Sequence, residues 1–161
     1  MELIINIDGA SRGNPGPGSS AWIIKNTSGK LLLEGGEFFA RCTNNFAEFS
    51  ALKIALSKAA KLRGTRLKIR SDSLLLVKQY GGEYKIKNPD LRLIMADIKK
   101  AAEKFSAISL THVPREQNKE ADAMCNKIID NALETEPAKK FLLQTVSKNH
   151  HEQLELFDFK D

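Results

Sequence analysis

Between residues 3 and 39 three apolar, strand-like runs follow one another, and the connections between them are too short and too rich in turn residues to hold a helix. Leu3 to Asp8 reads as a buried strand, Ser20 to Asn26 as a second and Leu31 to Phe39 as a third. Ser11 to Gly18, Ser-Arg-Gly-Asn-Pro-Gly-Pro-Gly, reads as a loop that can be neither helix nor central strand, because Pro lacks a donor and Gly weakens a ladder. Asn26 to Lys30 is a hairpin turn. Strands joined by connections this short pair antiparallel, so the chain opens as a three-stranded meander.

The apolar period then changes. Phe49, Leu52, Leu56 and Ala59 recur at helical spacing, which predicts a helix over 45–62 with Asn44 as its N-cap and Gly64 beyond its end. Arg66 to Arg70 alternates as a fourth strand. Asp72 or Ser73 caps a short helix through Lys78, and Gly81-Gly82 breaks it. Pro89 starts another helix with Leu91, Ile94, Met95 and Ile98 on its apolar face. Ala107 to Val113 is a fifth strand closed by Pro114, and Gln117 to Leu133 a last helix with Ala121, Cys125, Ile128 and Ala132 on one side. A strand, a crossover helix and another strand give parallel pairing with a right-handed connection. The expected fold class is therefore α/β: a five-stranded mixed sheet, three antiparallel strands and then parallel ones, flanked by helices on both faces. The 161 residues suffice for one domain with its own core. That domain is expected over 1–134, with a helical extension over 135–149 and a mobile tail over 150–161.

Four carboxylates carry the chemistry. Asp8 ends the first apolar run, Glu48 sits in Thr-Asn-Asn-Phe-Ala-Glu, Asp72 follows the fourth strand, and Asp122 lies in Asn-Lys-Glu-Ala-Asp. Acids placed at strand ends are shielded from water. Gathered together they repel one another and call for a cation, and hard oxygen ligands without a His or Cys cluster favour magnesium or manganese over zinc. Cys42 and Cys125 are far apart and read as reduced core thiols, as in a cytosolic protein.

The formal charge is +5. Residues 150–161 hold four acids and one base, a net −3, so the remainder carries +8. Much of this is the wet face of helices, and a fraction lining one groove would suit a polyanion. No apolar stretch is long enough to span a membrane, and the first residues lack the pattern of a secretion signal, so a cytoplasmic location is expected.

In combination these motifs resemble type 1 ribonuclease H. The resemblance rests on Asp8-Gly9-Ala10-Ser11-Arg12-Gly13-Asn14-Pro15-Gly16-Pro17-Gly18, Thr43-Asn44-Asn45 with Glu48, Ser71-Asp72-Ser73, and His112 ten residues before Asp122 with Asn118 between them. The family's basic handle is missing, since residues 79–89 are too short for it. Tyr80, Tyr84, Lys85 and Lys87 are candidates to replace its grip, and packing is the alternative for the tyrosines. The resemblance implies an endoribonuclease that cuts the RNA strand of RNA/DNA hybrids, leaving 5′-phosphate and 3′-hydroxyl ends, with two Mg²⁺ or Mn²⁺ ions held by Asp8, Glu48, Asp72 and Asp122. It implies that His112 carries a proton or assists product release. It puts Gly9, Ala10, Ser11 and Asn14 near the substrate, with Thr43 and Asn45 on DNA phosphates. Asn118 either touches substrate or orients the site. The tail segment Gln153-Leu154-Glu155-Leu156-Phe157-Asp158-Phe159 resembles a sliding-clamp-binding motif, with Gln153, Leu154, Leu156, Phe157 and Phe159 as its contacts; docking on the protein's own core is the alternative. A monomer is expected, and DNA replication is the implied setting. A hybrid-binding or clamp-recruited module without activity, and a broader nuclease that also cuts double-stranded RNA, stay open as other readings.

Overall fold

The computed structural model describes residues 1–134. It contains five strands, β1 (Glu2–Ser11), β2 (Gly16–Asn26), β3 (Leu31–Cys42), β4 (Arg66–Ser71) and β5 (Ala107–His112). Four helices accompany them: α1 (Asn44–Lys61), α2 (Leu74–Tyr80), α3 (Pro89–Ala102) and α4 (Lys119–Glu134). The sheet order is β3-β2-β1-β4-β5. β1 pairs antiparallel with β2 and β2 with β3, while β4 adds parallel to β1 and β5 parallel to β4, which is the expected mixed sheet.

Side-chain alternation along β1 explains the layers. Leu3, Ile5 and Ile7 are fully buried and join Trp22 and Ile24 of β2 in one core with Phe49, Leu52 and Leu56 of α1. Leu91, Met95 and Ile98 of α3 close that core from outside. Each buried Leu or Ile contributes about 1.5–3 kcal/mol. Residues 4, 6 and 8 of β1 point to the opposite face, where α4 packs on β1, β2 and β3. Helix α4 comes close because Gly36 of β3 leaves room for it: a Cβ there would run into the Ile128 side chain and the Ser20 carbonyl.

Several local expectations change. The strands run deep into the stretch read as a loop: Ser11 pairs with Gly18, and only 12–15 are left as the turn. Gly18 makes this possible, since a Cβ there would strike the Ala10 carbonyl oxygen and the Cys42 thiol. The cap of α1 is Thr43, whose hydroxyl accepts from the Phe46 N–H at 3.1 Å, and not Asn44. The Asn44 side chain instead accepts from the N–H and the hydroxyl of Ser11, both at 3.0 Å, tying the β1–β2 turn to α1. The last helix starts later than residue 117. Arg115–Gln117 form a 3₁₀ turn, and Asn118 breaks the run because its side chain turns inward. Among the described residues no helix is long and apolar enough to cross a membrane. The helical extension expected over 135–149 and the tail over 150–161 lie outside the described residues.

Candidate active site

Parallel pairing brings the first two acids together. β1 and β4 run side by side with Asn6 opposite Arg70, so carrying that register on by two residues sets Asp8 level with Asp72. Glu48 comes from the second turn of α1. A Cβ on Gly9 would overlap the backbone of Ala47 and Glu48, so the glycine lets α1 rest on β1 and hand Glu48 to Asp8. Carboxylate oxygens of Asp8, Glu48 and Asp72 all lie within 4.8 Å of one another. Asp122 approaches from the first turn of α4 on the other face. It stands outside that trio but lines the same cavity, of about 470 Å³.

Asn118 fixes this approach. It is 1 % exposed, its amide donates to the Ile7 carbonyl at 2.9 Å, and its oxygen accepts from the Asn6 amide at 3.0 Å. Its own carbonyl accepts from the Asp122 N–H at 3.1 Å. Asp122 is thus suspended from the residue that precedes Asp8. Of the two roles anticipated for Asn118, the geometry offers the orienting one.

The electrostatics are those of crowded anions. Burial first, then the charges of Asp72 and Asp122, pushes the Asp8 carboxyl from 3.8 up to about 7, although the Gly9 N–H donates to its Oδ1 at 2.9 Å. Burial, then Asp8 and Asp72, holds Glu48 well above the usual carboxylate range. Glu48 Oε2 is buried without a hydrogen-bond partner. A buried, unpartnered oxygen facing two further carboxylates fits a hard divalent cation, which would remove the repulsion and occupy that lone pair.

Gly9, Ala10 and Ser11 line the cavity. Asn14, Thr43, Asn45 and His112 do not. Asn14 is in the turn and accepts from the Asn44 N–H at 3.0 Å, Thr43 is buried as the cap, and Asn45 is half-buried in the first turn of α1. His112 is exposed at the end of β5, paired in register with Ser71, the neighbour of Asp72. In the segment that stands where a handle would be, Tyr80 is half-buried with the Lys99 ammonium 3.6 Å from its ring centroid, which favours packing; Tyr84, Lys85 and Lys87 are exposed.

Arg12, Asn44, Arg115 and Asn126 also line the cavity without having been singled out as site residues from the sequence. Arg115 Nη2 lies 3.6 Å from Asp122 Oδ1, with its side chain 78 % exposed. Its signal was an arginine seven residues before Asp122. Helical spacing from Asp122 could not have found it, because the 3₁₀ turn and Asn118 interrupt the helix between them.

A family model described as reverse transcriptase-like matches residues 6–128. The chain is 42 % identical over 125 residues to the ribonuclease HI of Halobacterium salinarum, covering 78 % of this chain and 63 % of that relative's length. The solved RNase H1 of Halobacterium salinarum NRC-1 superposes with a TM-score of 0.79 at 39 % identity, over 82 % of this chain and 100 % of that one. LC11-RNase H1, solved in complex with an RNA/DNA hybrid, gives a TM-score of 0.76 at 36 % identity, over 81 % and 99 % of the two chains. Likeness in sequence and in backbone thus extends over the strands and helices that carry all four acids, and the chain belongs to the type 1 ribonuclease H family.

Proposed function

We propose that this protein is an endoribonuclease that hydrolyses the RNA strand of RNA/DNA hybrids. The observation that carries the reading is the meeting of Asp8, Glu48 and Asp72 within 4.8 Å, with Asp122 across the same cavity. Similarity to LC11-RNase H1, which is solved with a hybrid, supports the substrate class.

Asp8, Glu48, Asp72 and Asp122 are the residues that would hold Mg²⁺ or Mn²⁺, two ions in the proposal. Such ions supply a water of lowered pKa and neutralise charge on the leaving oxygen. The protein's own part is position. Gly9 keeps Glu48 against Asp8, and Asn118 keeps Asp122 at the correct depth. Gly9 to Ser11 line the cavity, where their backbone would sense the 2′-hydroxyl that distinguishes RNA. Arg115 stands at the edge of the acids, suited to meet phosphate charge. His112, exposed beside Ser71 and Asp72, is assigned the proton transfer that accompanies cleavage or product departure. The products are a 5′-phosphate and a 3′-hydroxyl. Contacts of this kind read backbone shape, so cutting is largely independent of sequence.

The unit responsible is residues 1–134, acting in the cytoplasm as a monomer. Gln153, Leu154, Leu156, Phe157 and Phe159 lie outside the described residues; they are proposed to tether the enzyme to a sliding clamp during DNA replication. Deleting 153–161 should abolish clamp pull-down and spare hydrolysis, and loss of folding would speak for docking on the domain instead.

The decisive experiment is cleavage of end-labelled RNA/DNA, RNA/RNA and DNA/DNA duplexes with magnesium, manganese or chelator. Cutting of the RNA strand in the hybrid, abolished by chelator, is the expected result. Cutting of double-stranded RNA would widen the specificity, and hybrid binding without cutting would overturn the catalytic reading.

A further inference from the structure

We propose that Arg12 is a phosphate-binding residue whose guanidinium exchanges Asp130 for a backbone phosphate of the RNA strand crossing the acids. The inference rests on the hydrolytic reading above. Arg12 lines the same cavity as Asp8, Glu48, Asp72 and Asp122, so a strand lying across those acids passes its side chain. Arg12 and Arg115 are the cationic residues of that lining, in a cavity whose four carboxylates repel phosphate.

The backbone at Arg12 is fixed. Its N–H donates to the Pro17 carbonyl at 2.7 Å, and a Cβ at Gly16 would overlap the Arg12 carbonyl, so only glycine there permits this turn. The side chain is held loosely. Nη2 pairs with Asp130 Oδ1 at 2.6 Å, with the two side chains 41 % and 55 % exposed. Its contacts with the Asn126 carbonyl and side-chain oxygen, both at 3.5 Å, are at the limit of hydrogen bonding. An ion pair this exposed is weak. A phosphate offers a guanidinium two parallel N–H bonds, which is the stronger arrangement.

The helix supplies the geometry. Asp122, Asn126 and Asp130 recur every four residues, so one stripe of α4 carries an acid of the site at one end and the holder of Arg12 at the other, about 12 Å along the axis. Arg115 stands beside Asp122 at the first end. The two arginines therefore meet α4 at different points, Arg115 at Asp122 and Arg12 at Asp130, each suited to a different phosphate of the strand. Asp130 competes for the guanidinium until the strand arrives.

The test compares wild type, Arg12→Gln, Arg12→Lys and Asp130→Asn over a series of salt concentrations. KM and kcat are measured on a hybrid with magnesium, Kd on the same hybrid in chelator. Arg12→Gln should raise KM about tenfold with kcat within about twofold, and should make log affinity against log salt shallower by about 0.7–0.9, the loss of one phosphate contact. Arg12→Lys should restore the slope. Asp130→Asn should lower KM several-fold by freeing Arg12. A fall in kcat with an unchanged slope, or Asp130→Asn behaving like Arg12→Gln, would overturn the proposal and make the pair a latch that holds α4. Wild-type protein that binds the hybrid without cutting it would sink the hydrolytic reading while the salt slope still decides Arg12. Failure to bind would sink both.

Discussion

Replacing Asp8 by Asn should make the cation-free protein more stable while abolishing cleavage. Asp8 is 4 % exposed, and its carboxyl is pushed from 3.8 to about 7 by burial and by Asp72 and Asp122. A carboxyl raised in the folded state favours native protein that is protonated. Its contribution to stability is therefore present at low pH and lost as pH rises through about 7. At 1.36 kcal/mol for each tenfold, the cost of ionising Asp8 in the fold is about 4 kcal/mol at pH 8 and under about 1 kcal/mol at pH 4. Asparagine has nearly the same shape, and its oxygen can keep the bond from the Gly9 N–H. Sharing of the repulsion with Glu48 reduces the gain, so about 2–4 kcal/mol is expected at pH 8, or about 5–15 °C in Tm for a chain of this size. The assay is thermal melting of both proteins in chelator at pH 4, 6 and 8, with hybrid cleavage measured in parallel. A gain that grows with pH, together with lost cleavage, is the signature of a site that sacrifices stability for function. An unchanged or lower Tm at pH 8, or a gain independent of pH, would refute a buried and mutually repelling cluster.

Magnesium should raise the Tm of wild type more at pH 8 than at pH 6, because protons must leave Asp8 and Glu48 for the cation to bind; equal shifts at both pH values in a calorimeter would contradict this. Gly9→Ala should cost about 1–3 kcal/mol and at least about 100-fold in kcat, since its methyl would push α1 and Glu48 away from Asp8; wild-type cleavage would disprove the close-approach argument. Asn118→Ala should cost about 1–3 kcal/mol by leaving the buried Ile7 carbonyl unpaired, and should lower kcat more than it raises KM, as read from urea melts and steady-state kinetics. Arg115→Gln should lower kcat/KM about 10–100-fold with an unchanged melting curve; no loss would remove Arg115 from the site.

The local readings fared according to how local their physics was. Period-two and helical apolar patterns located every strand and helix of the described residues, because a side chain's face follows from its own place in the repeat. Asp8 and Asp72 were legible as acids at strand ends, and the motifs around all four carboxylates carried the family likeness. The stretch 11–18 was misread because Gly and Pro usually end strands, whereas here Gly18 admits Cys42 and the Ala10 carbonyl so closely that the ladder continues. Asn44 and Thr43 are both good caps by type, and only the approach of Ser11 decides which one faces the helix.

By itself, then, the sequence determined the order of elements, the mixed meander-then-crossover topology, and which acids stand where a cation could be needed. The tertiary structure alone decided that α1 rests on Gly9, that Asn118 is buried as the hanger of Asp122, and that Arg12 and Arg115 close the wall around the acids. The reason is one of range. Periodicity is written within a few residues, but convergence depends on the register between β1 and β4 and on how closely two helices approach opposite faces of β1. Those distances are set by packing between residues far apart in the chain, such as Asn6 with Asn118, 112 positions away.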